Sequence, residues 1–248
     1  MARRDRVGTG VAATCLVVAI FVGGTIAAIV AVDRGDEPAT APEPTPAGPV
    51  TVPVEVARES AVLVDAFGCS LDNQGSGVVI AEGVVTNAHV VAGATDITVT
   101  TDAGDRLRAL VRAFDPVRDL ALLEVDGLDV APLGTDAPVG GTDAIALVRS
   151  DEDVEVAEVR IERTINIIST DIFGLGEHRR RGLELVADID AGDSGGAILG
   201  PDGSIVGIVF SASRTQADVA YAVSALEIPA LVAGAGDLPA EAGRCLRP

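Results

Sequence analysis

The 248-residue chain has no lysine and no tryptophan, and only one methionine, one tyrosine, five phenylalanines, two histidines and three cysteines. All 18 of its cations are therefore arginines, set against 37 aspartates and glutamates for a formal charge of −19. This balance excludes a nucleic-acid binder, which needs a basic stripe to neutralise phosphates. The scarcity of aromatics leaves Val, Ile, Leu and Ala to build the core. No Cys/His cluster has metal-ligand spacing, so neither a structural zinc nor another metal is expected, and no cofactor motif is present. No internal repeat marks a solenoid or propeller. Disorder is excluded in turn, because 48% of the residues are apolar.

Part of that apolar content is local. Residues 11–32 form a 22-residue stretch without a charge, long enough at about 1.5 Å per residue to cross a hydrocarbon core of about 30 Å. Arg3, Arg4 and Arg6 precede it, and Asp33, Asp36 and Glu37 follow. The positive-inside rule then places residues 1–10 in the cytoplasm and everything after the span outside it. The alternative is a cleaved signal peptide, whose apolar region is shorter, with Ile29-Val30-Ala31 as an imperfect cleavage site. Residues 33–53 contain Pro38, Pro42, Pro44, Pro46, Pro49 and Pro53, the composition of an extended, semi-rigid spacer.

Residues 54–248 read as an all-β domain of short alternating runs separated by Gly, Asp and Pro. Ser76–Ile80 and Val84–Asn87 flank a hairpin turn, Asp96–Thr100 alternates, and Leu120–Val125 is a continuous buried-strand run. The apolar phase slips between Val154-Glu155-Val156 and Val159-Arg160-Ile161, which predicts a bulge near Ala157-Glu158. Ile205–Phe210 and Val219–Val223 are later strands. Ser224-Ala225-Leu226-Glu227 has capping-box spacing, and Pro229 keeps the C-terminal helix short or starts it there. Cys15 lies in the apolar span. An exported domain permits a Cys69–Cys245 disulfide, with two free thiols as the alternative.

Three local contexts carry chemistry. Gly192-Asp193-Ser194-Gly195-Gly196 lies between apolar strands, a tight turn that can aim backbone N–H groups at a reacting carbonyl. His89 stands in Thr86-Asn87-Ala88-His89-Val90-Val91, just after a strand, and Asp119 directly precedes Leu120-Ala121-Leu122-Leu123. A serine nucleophile needs a neutral imidazole as base, and the imidazole needs a carboxylate to hold its tautomer. Taken singly, each has a plain reading: a Gly-rich turn, a surface or core histidine, an acid solvating a strand end.

Together, in the order His, Asp, Ser, these words resemble the chymotrypsin-fold serine proteases, especially bacterial trypsin-like and HtrA-type enzymes, over about residues 60–248. Thr170-Asp171-Ile172-Phe173-Gly174, Gly207-Ile208-Val209-Phe210, Ala220-Tyr221-Ala222-Val223, Cys69 and Gly243-Arg244-Cys245 look most like the membrane-anchored periplasmic MarP-like acid-resistance proteases of actinobacteria. The resemblance implies two perpendicular six-stranded β-barrels, residues 54–140 and 141–248, with a C-terminal helix, preceded by the single transmembrane helix and the Pro-rich linker. It implies Ser194 as nucleophile, His89 as base and then acid, Asp119 as its orienting carboxylate, and the N–H groups of Gly192 and Ser194 as oxyanion hole. Phe210, Ser211, Ala212 and Ser213 become the strand that pairs with substrate backbone. Asp188, six residues before Ser194, is either the acid of a primary specificity pocket or a solvated strand residue, with Asp190 competing. Arg179-Arg180-Arg181 beside His178 reads as a solvated loop or a processing site. The implied function is a membrane-tethered extracytoplasmic endopeptidase in envelope protein processing or stress response, acting on protein or peptide substrates. The alternative is a catalytically silent peptide-binding scaffold. Three departures limit the likeness: one apolar span instead of several, no PDZ pattern after Ser194, and no Ile-Val-Gly-Gly start whose new N-terminus would pair with Asp193.

Overall fold

The computed structural model describes residues 16–22, 25–33, 54–69, 71–150, 153–190, 192–213, 215–216 and 218–246, the first two stretches as backbone alone. Expectations for residues 1–10 and for the linker beyond Asp33 fall outside these. The apolar stretch differs from its expected helix. Leu16–Val22 (β1) and Thr25–Asp33 (β2) form an antiparallel strand pair, and β2 continues the pairing onto a long later strand at Asn166–Ile168. Among the described residues no helix is long and apolar enough to cross a membrane. The segment is dense in Val and Ile, whose branched side chains suit a pleated surface where a sheet edge can take up their N–H and C=O groups.

After a short helix, Val54–Glu59 (α1), six strands close into a barrel: β3 (Ala61–Gly68), β4 (Leu71–Ile80), β5 (Gly83–Thr86), β6 (Ala94–Thr100), β7 (Arg106–Asp115) and β8 (Leu120–Val125), in the order β3-β4-β5-β8-β7-β6. The expected hairpin is present, with Val78 opposite Val85. Helix α2 (Ala88–Val91) interrupts the barrel between β5 and β6. The second unit contains β9 (Thr142–Arg149), β10 (Val154–Ser169), β11 (His178–Val186), β12 (Ala197–Leu199), β13 (Ile205–Ala212) and β14 (Val219–Ser224). Its pairings run β9-β10-β11-β14-β13-β12 and return to β9. All-β character and two six-stranded units are thus as expected. A 3-10 turn (Ala225–Glu227) and α3 (Ile228–Ala233) follow, with the Ser224 hydroxyl accepting from Leu226 N–H at 3.3 Å and Pro229 in the first turn of α3.

The bulge expected at Ala157-Glu158 is absent: the register of β10 on β9 is unbroken from Val154 to Ile161. The phase slip has another cause. Val154 and Val156 pack into the core between the two units, whereas Ala157, Val159 and Ile161 pack into the interior of the second. The strand is covered on both faces, so it needs no bulge there. The irregularity comes instead at Ile161/Arg163, after which Ile165 and Ile167 rejoin the core between the units.

Three apolar clusters result. Val62, Val64, Val84, Val99 and Leu123 fill the barrel, and Ala144, Leu183, Leu185, Ile198 and Val209 fill the second unit. The third joins them, with Val85, Leu120 and Leu122 on one side and Leu147, Ile208 and Tyr221 on the other. Burial of each such aliphatic side chain contributes about 1.5–3 kcal/mol. Leu120, next to Asp119, is therefore a fixed point between the units.

Candidate active site

His89 and Asp119 are brought together by the α2 turn and the β7–β8 turn. The His89 N–H donates to Asp119 Oδ1 at 3.0 Å, and Nδ1 lies 2.8 Å from Oδ2 and 3.0 Å from Oδ1. Both are buried, His89 at 7% and Asp119 at 2% exposure. A neutral imidazole donating from Nδ1 to a carboxylate presents Nε2 as an acceptor. Asp119 adopts φ 57°, a left-handed conformation that Asp tolerates better than most residues. Asp115 shapes the approach to it, accepting from the N–H groups of Val117 and Arg118 and from Arg118 Nη1.

Ser194 reaches the same corner from the second unit. Its carbonyl accepts from Ser76 N–H on β4 at 2.8 Å, while Gly195 N–H donates to Val209 O on β13. A Cβ placed on Gly75 would lie 2.7 Å from Val90 Cγ2 and 2.8 Å from Ser194 O, so α2 and the serine turn converge on one point. Gly195 is required twice over, with φ 90° and a Cβ position blocked by Ser76 O. At Gly192 the space is open but φ is 113°, so backbone conformation alone demands glycine. Asp193 Oδ2 accepts from Asp190 N–H at 2.7 Å, which gives this carboxylate a backbone partner inside its own loop. Burial pushes Asp193 up from the usual carboxylate range; the N–H of Asp190 opposes this, and the charges of Asp190, Glu155 and Asp188 add to it.

Comparison with known proteins shows the family. The family model described as trypsin-like peptidase domain matches residues 75–208, more than half of the chain. The chain belongs to the trypsin-like peptidase family. It is 32% identical over 219 residues to the serine protease Rv3671c of Mycobacterium tuberculosis, covering 84% of this chain and 54% of that protein. It is 30% identical over 172 residues to the serine protease Do-like HtrA of Lactococcus lactis, covering 64% of this chain and 42% of that one. The chain thus spans about half the length of the curated relatives it matches. Among solved structures, the active form of the M. tuberculosis Rv3671c protease superposes with a TM-score of 0.75 at 29% identity, over 86% of this chain and 99% of that one. An inactive form of the same protease gives 0.65 at 29% identity, over 74% and 92%. The fold is chymotrypsin-like.

Within this trypsin-like peptidase frame, the remaining expected site residues are unequally placed. On β13, Ser211 and Ala212 pair with Tyr221 and Ala220 of β14, and the ladder with β12 ends at Ile208. Ser213 N–H donates to Val219 O on the β14 side. The opposite backbone edge of 210–212 is the one a substrate strand could use. The Phe210 side chain does not face that edge: it is buried, 6.5 Å from the Tyr221 ring. Asp188 and Asp190 are both exposed, so the structure does not set either as the buried base of a pocket. Among the described residues no group of His, Cys, Asp and Glu could hold a metal ion. Cys69 and Cys245 are joined in a disulfide, with Cα atoms 5.8 Å apart, and Gly93 packs against Cys69 Sγ where a Cβ would not fit.

The arginine run is neither a loop nor uniformly solvated. It lies in β11, with Arg179 and Arg181 exposed and Arg180 buried at 6%. The strand period of two turns alternate residues inward, but three identical residues in a row carry no pattern to say which one. Two supporting residues were equally unmarked in the sequence. Asn87, fully buried, donates from Nδ2 to Asp119 O at 2.8 Å instead of capping α2. Ser76 accepts from Arg149 N–H and donates to Arg149 O, at 2.8 and 3.2 Å.

Proposed function

We propose that the chain is a membrane-tethered, extracytoplasmic serine endopeptidase that cleaves peptide bonds through Ser194, His89 and Asp119. The buried Nδ1–carboxylate bond between His89 and Asp119 carries this reading, because it leaves Nε2 free to take a proton. Ser194 Oγ attacks the scissile carbonyl as its proton passes to Nε2, and the oxygen becomes an oxyanion. The N–H groups of Gly192 and Ser194 receive that charge, each such donor contributing about 3–4 kcal/mol in a comparable site. The imidazolium, stabilised by Asp119, then protonates the leaving amine, and the C–N bond breaks to give an acyl-enzyme. Water, deprotonated by His89, releases the acid and restores the serine. The substrate backbone pairs with the 210–213 edge opposite β14 as an added strand.

Residues 54–140 and 141–248 serve as the two halves of the protease domain, residues 33–53 as a spacer and residues 11–32 as the anchor. Length, lack of charge and the flanking arginines support the anchor. In water the segment satisfies its backbone on a sheet edge; in a bilayer, which offers no such edge, the helix satisfies every N–H and C=O within itself. A location outside the cytoplasm also suits the disulfide. The substrates are proteins of the cell envelope.

A fluorophosphonate probe tests the chemistry. The folded wild-type protein is expected to be labelled and Ser194→Ala to be spared. Absence of labelling in the folded, disulfide-bonded wild type would favour the silent peptide-binding alternative instead.

A further inference from the structure

We propose that Arg180 is a positioning residue for the triad carboxylate, a buried cation through which β11 holds the Asp119 turn in place and keeps the His89–Asp119 pair in its neutral-imidazole, ionised-carboxylate form. The inference rests on the triad reading above.

Arg180 is 6% exposed, and it sits where the two units meet. Its Nη1 donates at 2.8 Å to the carbonyl of Val117, two residues before Asp119. Its guanidinium lies 4.9 Å from the centroid of Phe210 on β13, a stacking that fixes the plane of the fork. One side chain thus bridges the turn bearing the triad acid and the strand proposed to receive substrate. Nε is buried with no hydrogen-bond partner among the described residues. Burial of an arginine with an unsatisfied donor is unfavourable by itself, and the usual reason for retaining it is a nearby negative charge.

The charges facing it come from three elements. Asp115 ends β7, Asp119 stands in the β7–β8 turn, and Glu227 in the 3-10 turn. Glu227 is already engaged by two other arginines, accepting from Arg118 Nε and from Arg181 Nε, each at 2.8 Å. Asp115 is likewise paired with Arg118. Among the described residues no arginine pairs with the Asp119 carboxylate, whose side-chain partner is the His89 imidazole, so it is the carboxylate on which the charge of Arg180 is not duplicated. Burial lowers the Arg180 pKa from its ordinary value, and the three carboxylates oppose that; an arginine stays cationic across the working pH range. A fixed cation here makes the carboxylate easier to keep ionised and the resting imidazolium harder to form.

Arg180→Gln keeps a donor for Val117 O and removes the charge; Arg180→Lys keeps the charge and loses the planar fork. Both are measured with the wild type and Arg160→Met, which removes an exposed pair with Asp143, on a small ester and a peptide substrate across pH, with folding checked by thermal melting. For Arg180→Gln we expect kcat to fall about tenfold with KM changed less than about threefold, and the acid limb of kcat/KM to move up by about half a pH unit or more. Arg180→Lys is expected to lower kcat less and to keep the wild-type acid limb. Arg160→Met should match the wild type. A folded Arg180→Gln with unaltered kcat and acid limb overturns the proposal, as does an acid limb in Arg180→Lys displaced as far as in Arg180→Gln. If Arg180→Gln does not fold, Arg180→Lys decides: reduced kcat with KM and acid limb held supports the role, and wild-type kcat or a change in KM alone overturns it. Wild-type activity indifferent to Ser194→Ala would instead sink the triad reading.

Discussion

The N–H of Ser76 on β4 donates to the carbonyl of Ser194 at 2.8 Å, so the serine turn of the second unit is seated on a strand of the first. The Ser76 side chain extends the joint, since its hydroxyl accepts from Arg149 N–H and donates to Arg149 O on β9. Ser76→Ala would leave both of these buried backbone groups unpaired. We expect a stability loss of about 2–3 kcal/mol, read as a lower denaturant midpoint at unchanged slope. Activity should change less than stability, because the backbone N–H that seats the Ser194 carbonyl is retained in this variant.

Asp119 provides geometry and charge together, and Asn separates them. Asp119→Asn preserves the shape and tolerates φ 57°, but its amide can donate to Nδ1 and favour the wrong tautomer. By analogy with the general triad template, kcat should fall by about four orders of magnitude, while the melting temperature changes little. Retained activity in this variant would argue against Asp119 as the orienting acid.

The C-terminal tail is tied to the first barrel by more than sulfur. Gly93 N–H donates to Ala242 O and Ala240 N–H to Val111 O, at 2.8 and 2.7 Å, and Cys69–Cys245 closes a loop with a sequence separation of 176. In the chain-entropy model such a closure contributes up to about 5 kcal/mol. Replacing both cysteines by serine is expected to lower the melting temperature markedly while the remaining hydrogen bonds keep the tail docked. Mobility of residues 239–245 in hydrogen exchange checks the second half of this expectation.

Glu227 supplies a pH dependence with a definite sign. Burial pushes its carboxyl up, but hydrogen bonds from Arg181 Nε, the Arg181 N–H and Arg118 outweigh that and hold it below its ordinary 4.5. A lowered folded-state value means the stabilisation is present above pH 4.5 and is lost as pH falls through the folded value. Glu227→Gln should therefore be less stable than wild type near neutrality, by about 1–3 kcal/mol. The two stability curves should converge in acid. Parallel curves down to pH 3, roughly a unit and a half below the ordinary value, would contradict the assignment.

What the sequence determined by itself is local. Alternation in Asp96–Thr100 and Ile205–Phe210, the apolar run at Leu120–Val125 and the Ser224 cap each reflect contacts within a few residues, where side-chain period and turn chemistry decide the outcome. The residue types at His89, Asp119 and Ser194 were legible because their chemistry is distinctive in its immediate context. Only the tertiary structure decided how β10 divides its faces between two cores, where Phe210 turns its ring, and which arginine of 179–181 is buried. It also decided the work of Asn87, which reaches Asp119 across 32 positions, and of Arg180, which reaches Val117 across 63. An asparagine before a helix looks like a cap, and an arginine run looks solvated, because local pattern records what a residue can do but not which distant backbone group will be left needing a partner. That need arises only when the two six-stranded units close on each other and remove the water that would otherwise have met it.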